Sequence, residues 1–470
     1  MSNRVDELLS KLLNGETSDI TPQSRIEAYL KALIDGSGTD GLPTPQSSSE
    51  AYFYALVEQG LGGGGGGGST EGGFTMQDFV DSKGSLRYLY YGGINNYGLV
   101  PLKSDDLEWL TKIDTSNFTY TTYMFANCPS DELDAIPLFD MSNVTNMGNM
   151  FSLFTDIVNY PRGCALRIPA FDTSKVTNME SAFKGRLLAN FPQLRYDSAT
   201  NCNYMFEKTM FSNDTTIPTL YLPKVTTVDS MFKGDTINYV SPTSFEGINA
   251  PNCTNFNSLF NTCINLETVG DIVSNASSVT LQRLFYQCYK LKSFGSLPIS
   301  ACTSASGMFN RCYDITVIPK MDFPNCTNMG SMFNECTKLK TVECINMRSV
   351  TSASSMFYNA KVLENLTLKN IKCSLQVGSG TSYGHLLTVD SLVGLCYELR
   401  DTGSSGTLTI GNANLAKLAN VYVREITITD EMRTEDDLID EKLPFEVCES
   451  TDEGATLITD YVLFKNWQLA

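Results

Sequence analysis

SNVTNMGNMF, residues 142–151, is the stretch from which the fold follows. Near copies of it recur down the chain: SKVTNMESAF ends at Phe183, NCTNMGSMF at Phe333 and SVTSASSMF at Phe357. With the terminal phenylalanine as marker there are ten copies, at Phe125, Phe151, Phe183, Phe206, Phe232, Phe260, Phe285, Phe309, Phe333 and Phe357. The last three intervals are each 24 residues, and the others run from 23 to 32. A repeat of that length predicts a solenoid, in which one supersecondary unit stacks on the next and its apolar face is covered only by its neighbours.

The last intervals share a register and read column by column. Three residues past the Phe stand Cys288, Cys312, Cys336 and Ala360, and six past it Leu291, Ile315, Leu339 and Leu363. Nine past it are Phe294, Ile318, Val342 and Leu366. Leu297 and Ile299, Met321 and Phe323, Ile345 and Met347 then alternate with the two-residue period of a short strand that precedes the next copy. All of these columns are expected to point inward. Within the phrase, Met147, Met150 and Phe151 fall at i, i+3 and i+4, behind Thr145 or Asn146 as N-cap. That spacing predicts a short helical turn, so each coil reads as a strand, a capped turn of helix and a return segment.

The chain has 470 residues, 42% of them hydrophobic, and a formal charge of −18. Such an acidic chain lacks the clustered Lys and Arg that hold phosphates, so no nucleic-acid partner is expected. No apolar run is long enough to span a bilayer, and MSNRVDELLSKLLNG at the start is an acidic amphipathic pattern rather than a signal peptide. The expectation is a folded soluble protein made in a cytoplasm, without membrane insertion.

Fourteen cysteines suggest a disulfide framework until the repeat accounts for them. Seven residues before the Phe, Cys253, Cys302 and Cys326 alternate with Val144, Val176, Val225 and Val350, and in the column three past it Cys shares its place with Phe154 and Ala360. Cysteine then acts as a small core residue, and reduced thiols are expected. Rungs about 5 Å apart also permit bridges, which is the competing reading.

Residues 1–60 differ from the remainder of the chain. Val5, Leu8, Leu9, Leu12 and Leu13 fit a helical stripe, as do Ile26, Tyr29, Leu30, Leu33 and Ile34. TPQS at Thr21 returns at Thr44, so Tyr52, Phe53, Ala55 and Leu56 repeat the second helix as a third. Three short striped helices suit an attachment module that buries its apolar faces on a partner, the alternative being a small independent bundle. Residues 61–73, with seven glycines from Gly62 to Gly68, read as a flexible linker. Residues 74–116, rich in tyrosine around Tyr88 to Tyr97, read as the N-terminal solenoid cap, 117–370 as the ten-repeat solenoid and 371–470 as the C-terminal cap. In that cap Val389, Leu392, Val393, Cys396 and Leu399 predict a helix opened by Thr388 or Asp390, and TLTIG at 407–411 predicts a strand. The acidic segment 419–463, with Glu435, Asp436, Asp437, Asp440 and Glu441, reads as a solvated face rather than a metal site.

The single histidine, His385, removes most hydrolase and metalloenzyme constellations and is expected at the surface. The glycine run lacks the Lys-Ser/Thr of a phosphate loop. Asn117, Asn143, Asn213, Asn252 and Asn325 open N-x-S/T triplets, but beside the phrase they are explained by capping rather than glycosylation. Nothing marks out a carboxylate pair for glycoside chemistry. No catalytic residue, cofactor or metal ligand is assigned, no ligand-binding residue is identified, and an enzyme is not expected.

The phrase, best seen at Ser142–Phe151 and Asn325–Leu339, resembles the BspA-type leucine-rich repeat of bacterial and phage surface proteins. The resemblance covers about Asn117 to Leu366 and implies an α/β fold, a right-handed leucine-rich-repeat solenoid, here with a small α-helical N-terminal attachment segment. The flanks SRIEAYLKALIDG, poly-glycine, TLTIGNANLAKL and FKNWQLA resemble the ends of phage virion appendage proteins, from which 419–463 departs by its length and acidity. What this implies is a head or tail fibre on a virion surface. Residues 1–60 would hold other virion proteins, the solenoid would meet a host-surface glycan or protein, and the chain would form a homo-oligomer on the particle. The alternative is a bacterial cell-surface adhesin of the same repeat family.

Overall fold

The computed structural model of the chain describes residues 28, 31–32, 115–116, 118–122, 124–126, 136–153, 165–211, 216–234, 242–378, 387–399, 406–425, 445–464 and 467–469. The predicted N-terminal helices, apart from Ala28, Lys31 and Ala32, lie outside these residues, as do the linker 61–73, the tyrosine cluster from Tyr88 to Tyr97, Phe154 and the core of the acidic segment from Glu435 to Glu441. The described chain divides into two compact units, one reaching to about residue 227 and the other running on from there.

Each unit is a stack of coils paired in parallel, with the character of a β-solenoid, and the described turns number about seven in all, with few helices. Ten Phe corners are present, but the return paths after Phe125, Phe151, Phe206 and Phe232 lie partly outside the described residues. In the first unit, Leu187–Leu188 pairs with Met210–Phe211. In the second, Ser244–Asn249, Thr268–Val273 and Ser293–Phe294 form one parallel run, and Val317–Ile318, Thr341–Asn346 and Asn365–Lys369 another. The partner of each residue is its equivalent one repeat later, as in Val342 against Leu366. In-register pairing of this kind sets identical columns one above another at about 4.8 Å.

Phenylalanine fills the interior accordingly. In the first unit Phe125, Phe151, Phe183 and Phe206 stack with ring centroids 5.3, 5.3 and 5.4 Å apart. In the second, Phe232, Phe260, Phe285, Phe309, Phe333 and Phe357 follow at 5.5 to 6.0 Å. All ten rings are buried, at the spacing expected of offset aromatic stacks. The Cys, Leu and Val columns are buried as the register predicts, except that Phe294, in the column nine past the Phe, is only half-buried, and one coil departs further. Leu297 and Ile299 are only half-buried, because their coil leaves the strand path through the short turn Ile299–Ala301; Met321, Phe323, Ile345 and Met347 at the same positions are inside.

The larger correction concerns the phrase, which is not a helical turn. Met150 N–H donates to the Met147 carbonyl at 3.1 Å and Ser152 N–H to Asn149 at 3.1 Å, so consecutive tight turns replace the expected i→i+4 bonds. Asn149 has φ 57°, and Ser181, Ser230, Ser258, Ser331 and Ser355 repeat that left-handed conformation. Asn146 is no helix cap either, since its Oδ1 accepts from Gly148 N–H at 2.9 Å as an Asx turn. The i, i+3, i+4 spacing places side chains on one side of a tight corner as readily as on a helix.

In the C-terminal part the sequence reading holds more directly. A helix spans Val389–Tyr397, its cap Thr388 accepting from Ser391 N–H, but its inward face is Leu392, Leu395 and Cys396, while Val389 of the expected stripe is exposed and Val393 only half-buried. Leu375–Gly378, Gly406–Ile410 and Trp467–Leu469 form a parallel sheet, and Tyr422–Glu425 pairs antiparallel with Phe445–Cys448. No described helix is long and apolar enough to cross a membrane.

Candidate functional site

The backbone amides of the corners point one way. At the Phe151, Phe183, Phe232, Phe260, Phe285, Phe309 and Phe333 corners the N–H groups four and two residues before the Phe, of the Phe itself and two after it all donate to the following coil. Met147, Asn149, Phe151 and Leu153 reach the carbonyls of Asn178, Glu180, Ala182 and Lys184 at 2.8 to 3.0 Å. In the second unit the same bonds run from Met329, Ser331, Phe333 and Glu335 to Ser352, Ser354, Met356 and Tyr358. Left-handed residues on either side of the Phe, such as Ser331 at φ 55° and Glu335 at φ 59°, turn successive peptide planes so that N–H groups leave one face and carbonyls the other. The peptide dipoles therefore add along the stack as they do in a helix, and an end that presents N–H groups is positive.

The last Phe corner of the second unit is such an end. Among the described residues the N–H groups of Ala353, Ser355, Phe357 and Asn359 have no acceptor. By the register of the other coils they face the position a further coil would take. Along part of that edge runs a groove of about 800 Å³, between the 348–355 segment and the sheet segments 372–376 and 406–409. Ala353 and Ser355 line it, with Arg348 and Lys372. Neither cation makes an ion pair or side-chain hydrogen bond among the described residues, whereas Lys292 is paired with Glu267 and Lys338 with Asp314. The lining holds no Asp or Glu. Its hydroxyls include Ser352, Ser354 and Thr409, whose side chains hydrogen-bond to nothing described.

A second cluster lies on the same unit. Tyr289 stacks on Tyr313 at 4.8 Å, Arg283 sits 5.7 Å from the Tyr286 ring, and Arg311 pairs with Glu335 at 3.1 Å. Burial, and then the Glu335 charge, push the Tyr313 phenol up. Its central cation is already satisfied internally, so the groove is the stronger candidate.

The cysteine column has a structural role that the sequence reading missed. Cys263, Cys288, Cys312 and Cys336 each donate a thiol hydrogen to the Phe carbonyl of the preceding corner, at 3.0 to 3.1 Å. In the first unit Thr209 does the same to Phe183 at 2.7 Å, and the buried Arg186 reaches the Phe151 and Phe125 carbonyls. The signal was present as a column that admits Cys, Thr and Arg, which share a donor rather than a size. All twelve described cysteines are free thiols. Burial pushes the Cys263 thiol up to about 12 and raises those of Cys288, Cys312 and Cys336.

His385, Asn117 and Asn213 lie outside the described residues. Asn143 and Asn325 are exposed, and their side-chain amides donate to Ser116 and Ser300 of the preceding coil at 2.8 and 3.0 Å, so they clamp neighbouring coils rather than cap helices. Asn252 is exposed as well. Among the described residues no three His, Cys, Asp or Glu side chains converge as a metal site.

A family model described as "Mycoplasma protein of unknown function, DUF285" matches in four overlapping stretches, 102–216, 164–269, 200–317 and 279–377, which together span more than half of the chain. No curated protein and no solved structure matches.

Proposed function

Because the chain belongs to the family described as Mycoplasma protein of unknown function, DUF285, we propose that it is a non-enzymatic surface protein whose solenoid displays residues for contact with a host surface. The finer reading is a BspA-like leucine-rich-repeat solenoid, right-handed, carried as a fibre or appendage on a phage virion. Residues 1–60 anchor it, 61–73 give slack, and homo-oligomers stand on the particle. One observation carries the proposal. The interior is nearly the same at each coil, while the position just after the Phe, buried at Ala126, Ser152 and Glu207, is at least partly exposed elsewhere and there reads Lys184, Lys233, Asn261, Tyr286, Asn310, Asn334 and Tyr358. A scaffold with a constant core and a varied face is suited to recognition.

A second reading, a bacterial cell-surface adhesin, is favoured by the family's description as a Mycoplasma protein. Mass spectrometry of purified phage particles and of surface-shaved bacterial cells separates the two. Peptides of this chain in particles, lost when residues 1–60 are deleted, support the virion reading. Peptides released only from cells overturn it in favour of the second.

A further inference from the structure

Resting on the reading of the solenoid as a recognition surface, we propose that the groove at the last Phe corner binds an acidic oligosaccharide. Its acid group is held by the Ala353 and Ser355 N–H groups with Arg348 and Lys372, and its hydroxyls are held by the serines and threonines around them.

The charge argument comes first. The chain carries −18 overall, yet the groove presents two cations without carboxylate partners and no acidic side chain. It is a local positive well in a negative molecule, and such a well concentrates anions. The backbone deepens it. In the second unit the corner bonds run in the same sense from Phe232 to Leu259, Phe260 to Leu284, Phe285 to Met308, Phe309 to Met332 and Phe333 to Met356. Among the described residues their N–H end at Ala353 and Ser355 is left open. Aligned amides with no intervening carbonyl favour an oxyanion, as at a helix N-terminus.

The same feature argues against an extended peptide. A peptide added to a sheet edge needs donors and acceptors in alternation, whereas this row sends its carbonyls to the preceding coil, as Ser352, Ser354 and Met356 do. The lining has no aromatic side chain to seat an apolar anchor. What it offers beside the charge is hydroxyl chemistry, at Ser352, Ser354 and Thr409 among others. A ligand with one or more acid groups on a polyhydroxylated frame matches that inventory. The volume of about 800 Å³ lies in the range of small-ligand sites.

Calorimetric titration of the full chain tests this with tetragalacturonate, a heparin-derived tetrasaccharide, maltotetraose, tetraglutamate and inorganic phosphate. At least one of the two acidic tetrasaccharides is expected to bind about tenfold or more tighter than maltotetraose and phosphate, and to weaken as salt is raised. Lys372→Glu, at an exposed position, and Arg348→Glu should each lower that affinity by about tenfold or more, while the exposed Lys320→Glu leaves it unchanged. Binding of tetragalacturonate shows that a carboxylate suffices, and binding of the heparin fragment alone, which carries both groups, points to sulfate. Equal binding of maltotetraose, equal or tighter binding of tetraglutamate, equal binding of phosphate alone, no binding at all, or indifference to Lys372→Glu in a variant that melts as the parent does would each overturn the proposal.

Adsorption of the chain to host cells is a separate readout. Adsorption that persists without acidic-sugar binding removes the groove and leaves surface recognition standing. Sugar binding without adsorption does the reverse.

Discussion

Ser331, two residues before Phe333, sits at φ 55°, where an L-residue is strained by about 1 to 2 kcal/mol relative to the right-handed region. Its N–H bond to Ser354 at 2.8 Å holds it there. Gly307 occupies the same place one coil earlier, at φ 64°. Ser331→Gly is therefore expected to be neutral or mildly stabilising, and Ser331→Val to destabilise by about 1 to 2 kcal/mol, since branching at Cβ makes left-handed backbone worse. Chemical denaturation of the two variants checks the order, and a Val variant as stable as the Gly variant would refute the corner geometry. The thiols add a second residue-scale effect. Cys312→Ala removes the donor to the Phe285 carbonyl and should cost about 1 to 3 kcal/mol, with Cys312→Ser costing less because a hydroxyl can still donate, as Thr209 does. A thiol whose folded pKa is raised keeps its proton while the unfolded chain loses it. The stabilisation is whole below the ordinary thiol value of 9 and falls as pH rises, for Cys263 until about 12. Thermal midpoints should accordingly drop between pH 9 and 12, and Cys263→Ser should flatten that drop.

At the scale of the element, the unit of cohesion is the stacked ring. Phe309 touches Phe285 at 5.5 Å and Phe333 at 5.7 Å, and all three are fully buried. Phe309→Ala or Phe333→Ala should cost about 3 to 5 kcal/mol, because the thin core cannot close around the hole. Calorimetry reads this as a lowered midpoint, and a loss under about 1 kcal/mol would show that the stack is not a cohesive column. The terminal helix offers a milder test, since Thr388→Ala deletes the bond from Ser391 N–H at 3.2 Å and should cost about 1 kcal/mol. This helix was legible because its stripe runs over two turns with a capping residue ahead of it. The phrase is shorter, and over a single turn an apolar pattern cannot separate a helix from a tight corner.

For the whole molecule, a repeat array is stabilised by nearest neighbours, so removal of a distant segment leaves the rest intact. A chain lacking residues 1–60 should keep the calorimetric transition of the solenoid within a degree or so of the parent, as no interaction need cross the glycine run. A transition several degrees lower would place those residues in the stack. The exposed inter-coil pairs, Lys292 with Glu267 at 2.6 Å and Lys338 with Asp314 at 2.8 Å, are solvent-screened and contribute little to that cohesion.

The period, the identity of the buried columns and the stacked Phe ladder were legible in the amino-acid order, because in-register parallel stacking makes each inward position visible as a column of like residues. So were the Val389–Tyr397 helix and the Gly406–Ile410 strand. The shape of the corner was not. Asn149, Ser181 and Ser331 adopt left-handed backbone without glycine, and hydrogen bonds to residues 22 to 31 positions away hold them there. The thiol donors to the Phe carbonyls were hidden for a similar reason, since a cysteine column looks the same whether it fills space or caps an oxygen. The groove was beyond reach altogether. Its residues come from segments around 350, 374 and 407, and its donors are open because the repeat ends there. Which peptide groups go unpaired is decided by what stacks above them, and that is a property of the tertiary structure alone.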